Sequence, residues 1–369
     1  MANTAKKVRE PLMHITKRDA MVWWKSWLVR VIAIAAALIV CSVVIILLTG
    51  YNPAQVYASM IQGSFGSSRK FWAALQKTAM LLCIALAVTP AFKMRFWNLG
   101  AEGQVLIGGL IAAGMMINFG GKVPNAVLLL LMTLACVLGG VIWAIIPAFF
   151  KARWGTNESL FTLMMNYVAI QLTSYCITFW ENPKGSNTVG VINGTTFAGW
   201  FPTVFGQKYF LNIAIVVVLT IVVFVYLRYS KHGYEISVVG VSENTARYIG
   251  INVKNVILRT MVVSGALCGI AGLMLVSGTD HTISTNTVGG QGFTAILVSW
   301  LAKFNPFFMV LVSFLLIFLD RGASEIATTF RLNESVSDIL TGIILFFIIG
   351  CEFFINYKIN FRGAAKKEG

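Results

Sequence analysis

Ten separated runs of apolar residues, most of them near twenty long, constrain this chain more than any other feature. They cover residues 29–49, 72–92, 105–119, 126–150, 160–179, 209–229, 256–276, 293–302, 307–319 and 339–355. The hydrocarbon core of a bilayer is crossed by about 20 apolar residues in a helix. Backbone at that depth must bond to itself, so repeated apolar runs without strand-like alternation predict helices. With 12% charged residues, 57% hydrophobic content and a mean hydropathy of +0.77, the chain has too little polar surface for a soluble globule. The expected fold class is all-α, a polytopic membrane protein of about ten transmembrane helices.

The first run follows a basic stretch carrying Lys17, Arg18, Trp23, Trp24, Lys25 and Trp27, and no small-residue cleavage site follows it. It reads as a retained first span rather than a signal peptide. Three runs, 105–119, 293–302 and 307–319, are short for a straight crossing. Short glycine-bounded pieces at membrane depth belong around a cavity and not against lipid.

The net charge of +15 comes from Lys and Arg placed in loops between apolar runs, which excludes a soluble basic face for nucleic acid. Charge does set orientation. With the amino terminus inside and ten crossings, 21 of the 29 Lys and Arg fall on the cytoplasmic side. If 293–302 did not cross, the division would be 18 to 11. The positive-inside rule therefore favours ten crossings with both termini cytoplasmic. The expected organisation is a basic cytoplasmic tail over 1–28, a membrane domain over 29–357 with a long cytoplasmic loop at 228–255, and a short tail over 358–369. The six cysteines lie singly in apolar runs, at no spacing that suits a metal or a redox pair.

Gly103-Gln104 opens a short glycine-rich run in the first half, and Gly290-Gln291-Gly292 opens another in the second. Asn157-Glu158-Ser159 starts the fifth span, and Asn333-Glu334-Ser335 precedes the tenth. The separations are 187 and 176 residues. Matching motifs in halves of opposite orientation predict an inverted repeat of two five-helix halves with broken helices near a solute site.

The segment Phe96 to Gln104 places Asn98, Glu102 and Gln104 among glycines at a span entry, where polar groups are costly unless they face a cavity or find partners. Glu102 also suits a helix N-terminus, whose dipole favours negative charge. Asn166 lies inside the fifth span. Gln291 and Trp300 supply an amide and an aromatic face to the eighth segment, although Trp300 also suits an interfacial anchor. Asn157 and Glu158, beside Arg153, read as helix capping. In the long loop, Gly240 and Gly250 bracket Ser242, Glu243, Asn244, Arg247 and Tyr248, with Ser242 as N-cap of a short helix suited to a groove on a soluble partner.

Asn98-Leu99-Gly100 through Gln104, Gly155-Thr156-Asn157-Glu158 with Met165-Asn166-Tyr167, and Gly240 through Gly250 together resemble the permease subunits of ABC importers for nucleosides and simple sugars. That family is related to ribose and branched-chain amino-acid permeases, and the resemblance runs from about residue 30 to 357. It implies a second, related permease subunit, an ABC ATPase that is often a fused pair holding the ATP and Mg, and an extracellular solute-binding protein. Ser242 to Tyr248 would be the coupling helix, although Glu243 and Gly250 are seven apart and lack the Ala-Ala of the coupling signature in other ABC importers. The chain has no G-x-x-x-x-G-K-[ST] loop and only three histidines, without a nucleophile and base set, so it is not expected to be an enzyme and needs no cofactor of its own. The expected cargo is a nucleoside, with a simple sugar or branched-chain amino acid as alternatives. An ion-coupled secondary transporter would need acidic residues in mid-membrane, but Asp280, Asp320, Glu325 and Asp338 sit near span ends. A channel would need a filter-like repeat or an Arg-rich sensor helix, and neither is present.

Overall fold

A computed structural model describes residues 13–18, 22–332 and 334–361. Among them the order is β1 (Met13–Lys17), α1 (Trp23–Thr49), α2 (Pro53–Phe65), α3 (Ser68–Lys93), α4 (Ala101–Phe119), α5 (Asn125–Trp154), α6 (Glu158–Trp180), α7 (Phe210–Tyr229), α8 (Lys231–Val241), α9 (Glu243–Tyr248), α10 (Val253–Leu275), a π-helical turn (Val276–Asp280), α11 (Gln291–Leu301), α12 (Pro306–Phe330), α13 (Glu334–Asn356) and β2 (Tyr357–Phe361).

Each of the ten apolar runs falls on one helix, three of them (209–229, 256–276 and 293–302) running one residue past one of its ends. Eight helices among the described residues are long and apolar enough to cross a membrane, with Gln291–Leu301 and Ile339–Ile355 as shorter apolar segments. Two of the three short runs belong to full-length helices, and this corrects their reading as broken pieces. The run at 105–119 is extended backward by Glu102, Gly103 and Gln104, and that at 307–319 forward through Asp320, Arg321 and Glu325. Polar residues end an apolar run without ending a helix, because the i to i−4 backbone ladder does not depend on side-chain polarity. Only α11 stays short.

Side-chain caps set many of the starts. Asn52, Ser67, Asn157, Ser230, Ser242 and Asn252 each accept a hydrogen bond from a backbone N–H two or three residues on. Glu158 pairs with Lys151 at 2.8 Å, not with Arg153. Glu158 and Glu334 both open helices; Asn333 of the second tripeptide lies outside the described residues.

The structure divides into two compact units. In the unit of residues 1–66 and 319–369, α1 and α13 run antiparallel, with Arg30 Nε donating to Glu352 Oε1 at 3.0 Å. β1 pairs antiparallel with β2, Met13 opposite Phe361 and Lys17 opposite Tyr357. Apolar periodicity gives no hint of this ribbon, which joins two chain ends read from sequence as separate tails.

The unit of residues 67–318 is built around α10, against which α3, α4 and α5 pack. Its contact face is a line of glycines. A Cβ on Gly265 would lie 2.4 Å from the Gly140 carbonyl oxygen, one on Gly269 2.2 Å from that of Cys136, and one on Gly272 2.2 Å from that of Val105. Helices in lipid gain little from burying apolar surface, so small residues that let backbones touch supply the packing.

Candidate functional site

Contacts along α10 fix the depth of the polar segment. Asn98 Nδ2 lies 3.4 Å from Ser264 Oγ, and Val105 packs on Gly272, so α4 runs parallel to α10 and begins beside its middle. The Thr89 and Ser299 hydroxyls meet at 2.9 Å, and Phe92 and Trp300 meet ring to ring, so α11 runs parallel to α3. Eight residues before Ser299, about 12 Å at 1.5 Å per residue, Gln291 lies beside the middle of α3. Two helix N-termini, those of α4 and α11, therefore meet halfway along the longest enclosed helices.

Glu102 joins them. Its Oε1 accepts from Gly290 N at 2.8 Å and its Oε2 from Gly292 N at 2.7 Å. It stands in the first turn of α4 and caps α11, which has no side-chain cap of its own. The capping expected of Glu102 is thus directed to two helices, placing one negative charge between two positive dipole ends. Gly292 makes the approach possible, since a Cβ there would fall 2.6 Å from Glu102 N.

Three more of the predicted residues serve this junction from behind. Asn166 on α6 accepts from Gly103 N at 2.8 Å and donates to the Leu99 carbonyl at 2.8 Å. Asn98 and Gln104 exchange a reciprocal amide pair at 3.3 Å, and Asn98 Oδ1 also takes Gly100 N at 3.1 Å. Thr162, not singled out in the sequence, takes Leu99 N at 3.1 Å. Asn98, Gln104 and Asn166 are buried, with most of their hydrogen-bonding capacity spent on backbone or on each other. Gln291 differs: its Oε1 is buried and has no partner among the described residues. Trp300 stands apart at the far end of α11, half-exposed and stacked on Trp97 with ring centroids 5.8 Å apart.

At the Lys93 end of α3, α8 and α9 form the predicted loop structure. Ser242 Oγ caps α9 by accepting from Thr245 N at 3.3 Å, and Glu243 and Arg247 pair across one turn at 3.4 Å. Ala246 is buried, whereas Asn244 faces outward and Tyr248 is 92% exposed. Gly250 has φ +83°, a left-handed turn that sends the chain into α10. Gly240 lets α8 touch α3, since a Cβ would fall 2.1 Å from the Lys93 carbonyl oxygen. A groove of about 340 Å³ beside α9 is lined by Glu235, Gly250, Asn252 and Arg259 among others, with Glu235 and Arg259 ion-paired.

A second polar cluster lies near the Ser68 end of α3 and was not read from the sequence. Gln76 on α3 and Asn212 on α7 both donate to Thr279 Oγ1 in the π-helical turn, at 2.6 and 3.4 Å. His281 follows, stacked on Trp200 at 3.5 Å. Asn212 is a single polar residue in an apolar run, whereas Gln76 precedes Lys77 and Thr78 and His281 lies in the polar stretch from Thr279 to Thr282; no local pattern links residues 203 and 67 apart. No group of His, Cys, Asp and Glu among the described residues could hold a metal ion.

Residues 71–349 match the family described as the branched-chain amino acid transport system permease component. The chain belongs to that family. It is 26% identical over 359 residues to a glucose ABC transporter permease protein of Haloferax volcanii, covering 94% of this chain and 93% of the relative. It is 29% identical over 346 residues to a guanosine ABC transporter permease protein of Bacillus subtilis, covering 93% and 97%. A nucleoside ABC transporter permease protein of Lactococcus lactis is 27% identical over 318 residues, covering 83% and 86%. No solved structure matches the chain. The permease is a multi-pass transport subunit of an ABC importer and not a catalytic chain, and such permeases work with an ATPase and a binding protein.

Proposed function

We propose that the permease carries nucleosides inward, with the solute passing the junction of α4 and α11. The observation that carries this reading is the meeting of two helix N-termini beside the middle of α10 and α3, with Gln291 Oε1 there lacking a partner among the described residues. Short helices that begin at mid-membrane are where transporters place their solutes, and α11 is such a helix. A nucleoside is uncharged, with an aromatic base and a hydroxylated ribose, and so suits amides and the Trp97 and Trp300 faces better than fixed charges. Two relatives are named for guanosine and for nucleosides, which supports this cargo. A relative named for glucose supports a second reading, a hexose.

In this reading Asn98, Glu102, Gln104 and Asn166 hold the pathway in shape while Gln291 and Trp300 face it. Gly240 to Gly250 couples to the ATPase through α9, whose exposed Tyr248 and neighbouring groove support docking. A related second permease, a double ATPase and an extracellular solute-binding protein complete the importer, and α4 and α11 are equivalent members of an inverted repeat. Both termini are cytoplasmic; the pairing of β1 with β2, which brings the chain ends together, supports an even number of crossings. Competition for uptake of labelled uridine by cells carrying the whole transporter tests the cargo. Inhibition by excess guanosine and adenosine is expected, and inhibition by glucose or leucine alone would reject the nucleoside.

A further inference from the structure

The π-helical turn that ends α10 is enclosed by polar side chains whose bonding is incomplete. Gln76 is 2% exposed and Asn212 1%. Thr279 Oγ1 lies 3.5 Å from the Met274 carbonyl, which takes its proton, so the hydroxyl oxygen accepts from both amides. That fixes both amide orientations and leaves Gln76 Oε1 and Asn212 Oδ1 as buried acceptors without a partner among the described residues. Asn212 is held in place by Gly278, where a Cβ would fall 2.4 Å from its amide atoms. Both ring nitrogens of His281, a residue 5% exposed, also lack a partner among the described residues.

The backbone of the same turn, by contrast, is engaged. Phe201 N donates to the Ser277 carbonyl at 3.0 Å and Ile192 N to that of His281 at 2.8 Å, so the segment between α6 and α7 is stitched over it. A cluster whose only task was to hold helices together would satisfy its amides or replace them with apolar side chains, because a buried acceptor without a donor is costly. π-helical turns within α-helices recur at functional sites.

We infer that Gln76, Asn212 and the π-helical turn form a solute-contacting site that reads the hydroxyl groups of a neutral polyhydroxylated solute. Amide oxygens can only accept, so the complementary groups are O–H or N–H donors. Gln76, Asn212 and Thr279 carry no charge; the nearby Lys208 ammonium lies 6.0 Å from the centre of the Trp200 ring, which is itself stacked on His281. The inference rests on the import of a hydroxylated solute and names the residues that recognise it.

Uptake by the whole transporter is compared for uridine against 2′,3′-dideoxyuridine, and for glucose against 2-deoxyglucose. Wild type is expected to favour the hydroxylated member of the pair it carries by about tenfold or more, since sites built to bond a hydroxyl reject its deoxy analogue. Gln76→Met and Asn212→Leu are expected to reduce that preference to within about threefold, mainly by slowing the hydroxylated solute, with the amount of permease and copurifying ATPase unchanged. An equal loss for both solutes, or no loss, overturns the inference. If either variant fails to reach the membrane, Thr279→Val is read in the same way. Failure of all three to accumulate assigns the cluster to folding alone and also overturns it. Wild-type uptake without a preference for hydroxyls removes this site but spares the cargo, whereas uptake of neither pair removes both.

Discussion

Replacing Glu102 isolates the junction on which the pathway reading depends. Glu102→Ala removes two charge-assisted bonds, to Gly290 N and Gly292 N at 2.8 and 2.7 Å, and strands both donors where water is scarce. Each such bond is worth about 1.5–3 kcal/mol, and a carboxylate at a helix N-terminus adds about 0.3–1 kcal/mol. A local loss of about 4 kcal/mol follows, or roughly a thousandfold at 1.36 kcal/mol per decade. Glu102→Gln keeps one acceptor but turns an NH₂ toward the other donor, for a loss of about 2 kcal/mol, roughly thirtyfold. Hydrogen exchange followed by mass spectrometry on the purified permease should show these factors at residues 290–294, with peptides from the middle of α6 unchanged. Exchange at 290–294 that is the same in wild type and both variants would refute the capping of α11 by Glu102. Acceleration everywhere would refute its local character.

Arg247→Glu with Tyr248→Ala, which reverses a charge and removes the most exposed ring on α9, should leave ATP hydrolysis in the assembled transporter but separate it from uptake in proteoliposomes. In a cysteine-free background, Ser242→Cys should resist membrane-impermeant thiol reagents in intact cells while Ser186→Cys reacts, and equal labelling would reverse the topology. Gly269→Ala puts a Cβ 2.2 Å from the Cys136 carbonyl oxygen and should cost at least about 1–3 kcal/mol, read as a lower melting temperature, whereas Gly342→Ala, with open space around it, should not. Burial, reinforced by the Lys208 ammonium, pushes His281 down to about 4 from its ordinary 6.5. Its neutral form is favoured by folding, so the stabilisation is complete above pH 6.5 and is lost as pH falls toward 4. Exchange at residues 192–201 should therefore rise between pH 7 and 5 beyond its chemical pH dependence, and His281→Phe, which keeps a ring on Trp200, should remove that excess.

Span positions were legible because a bilayer demands long apolar stretches, and each of the ten runs lies in a helix to within one residue at its ends. Span lengths were less legible at α4 and α12, where Glu102 and Asp320 break the apolar pattern but not the backbone ladder. The loop helix was legible from Ser242 and its bracketing glycines, since capping is local chemistry. The polar stretch from Asn98 to Gln104 was visible as a cost needing an explanation, yet its partners Asn166 in α6 and Gly290 just before α11 are distant in sequence, and no local rule supplies them. Gln76, Asn212 and His281 were invisible for the same reason in stronger form, since they come from three separate parts of the chain and only the fold brings them together. Pairing of β1 with β2 depends on the ends of α1 and α13 being adjacent, which is a tertiary fact.

The junction of α4 and α11 is polar because two helix starts meet there and need acceptors. The N-termini of α4 and α11 present N–H groups that no residue within their own helix can accept. Thr162 takes that of Leu99, Asn98 that of Gly100, Asn166 that of Gly103, and Glu102 those of Gly290 and Gly292. These side chains are committed, and a solute could use them only by displacing a bond of equal worth. Gln291 Oε1 at the junction, and Gln76 Oε1 with Asn212 Oδ1 at the π-helical turn, have no partner among the described residues. A transported solute has to be held and then released, which favours acceptors that are available without breaking the protein's own bonds. Substitution of the committed residues should therefore disturb structure and transport together, whereas substitution of the uncommitted acceptors should disturb solute preference first.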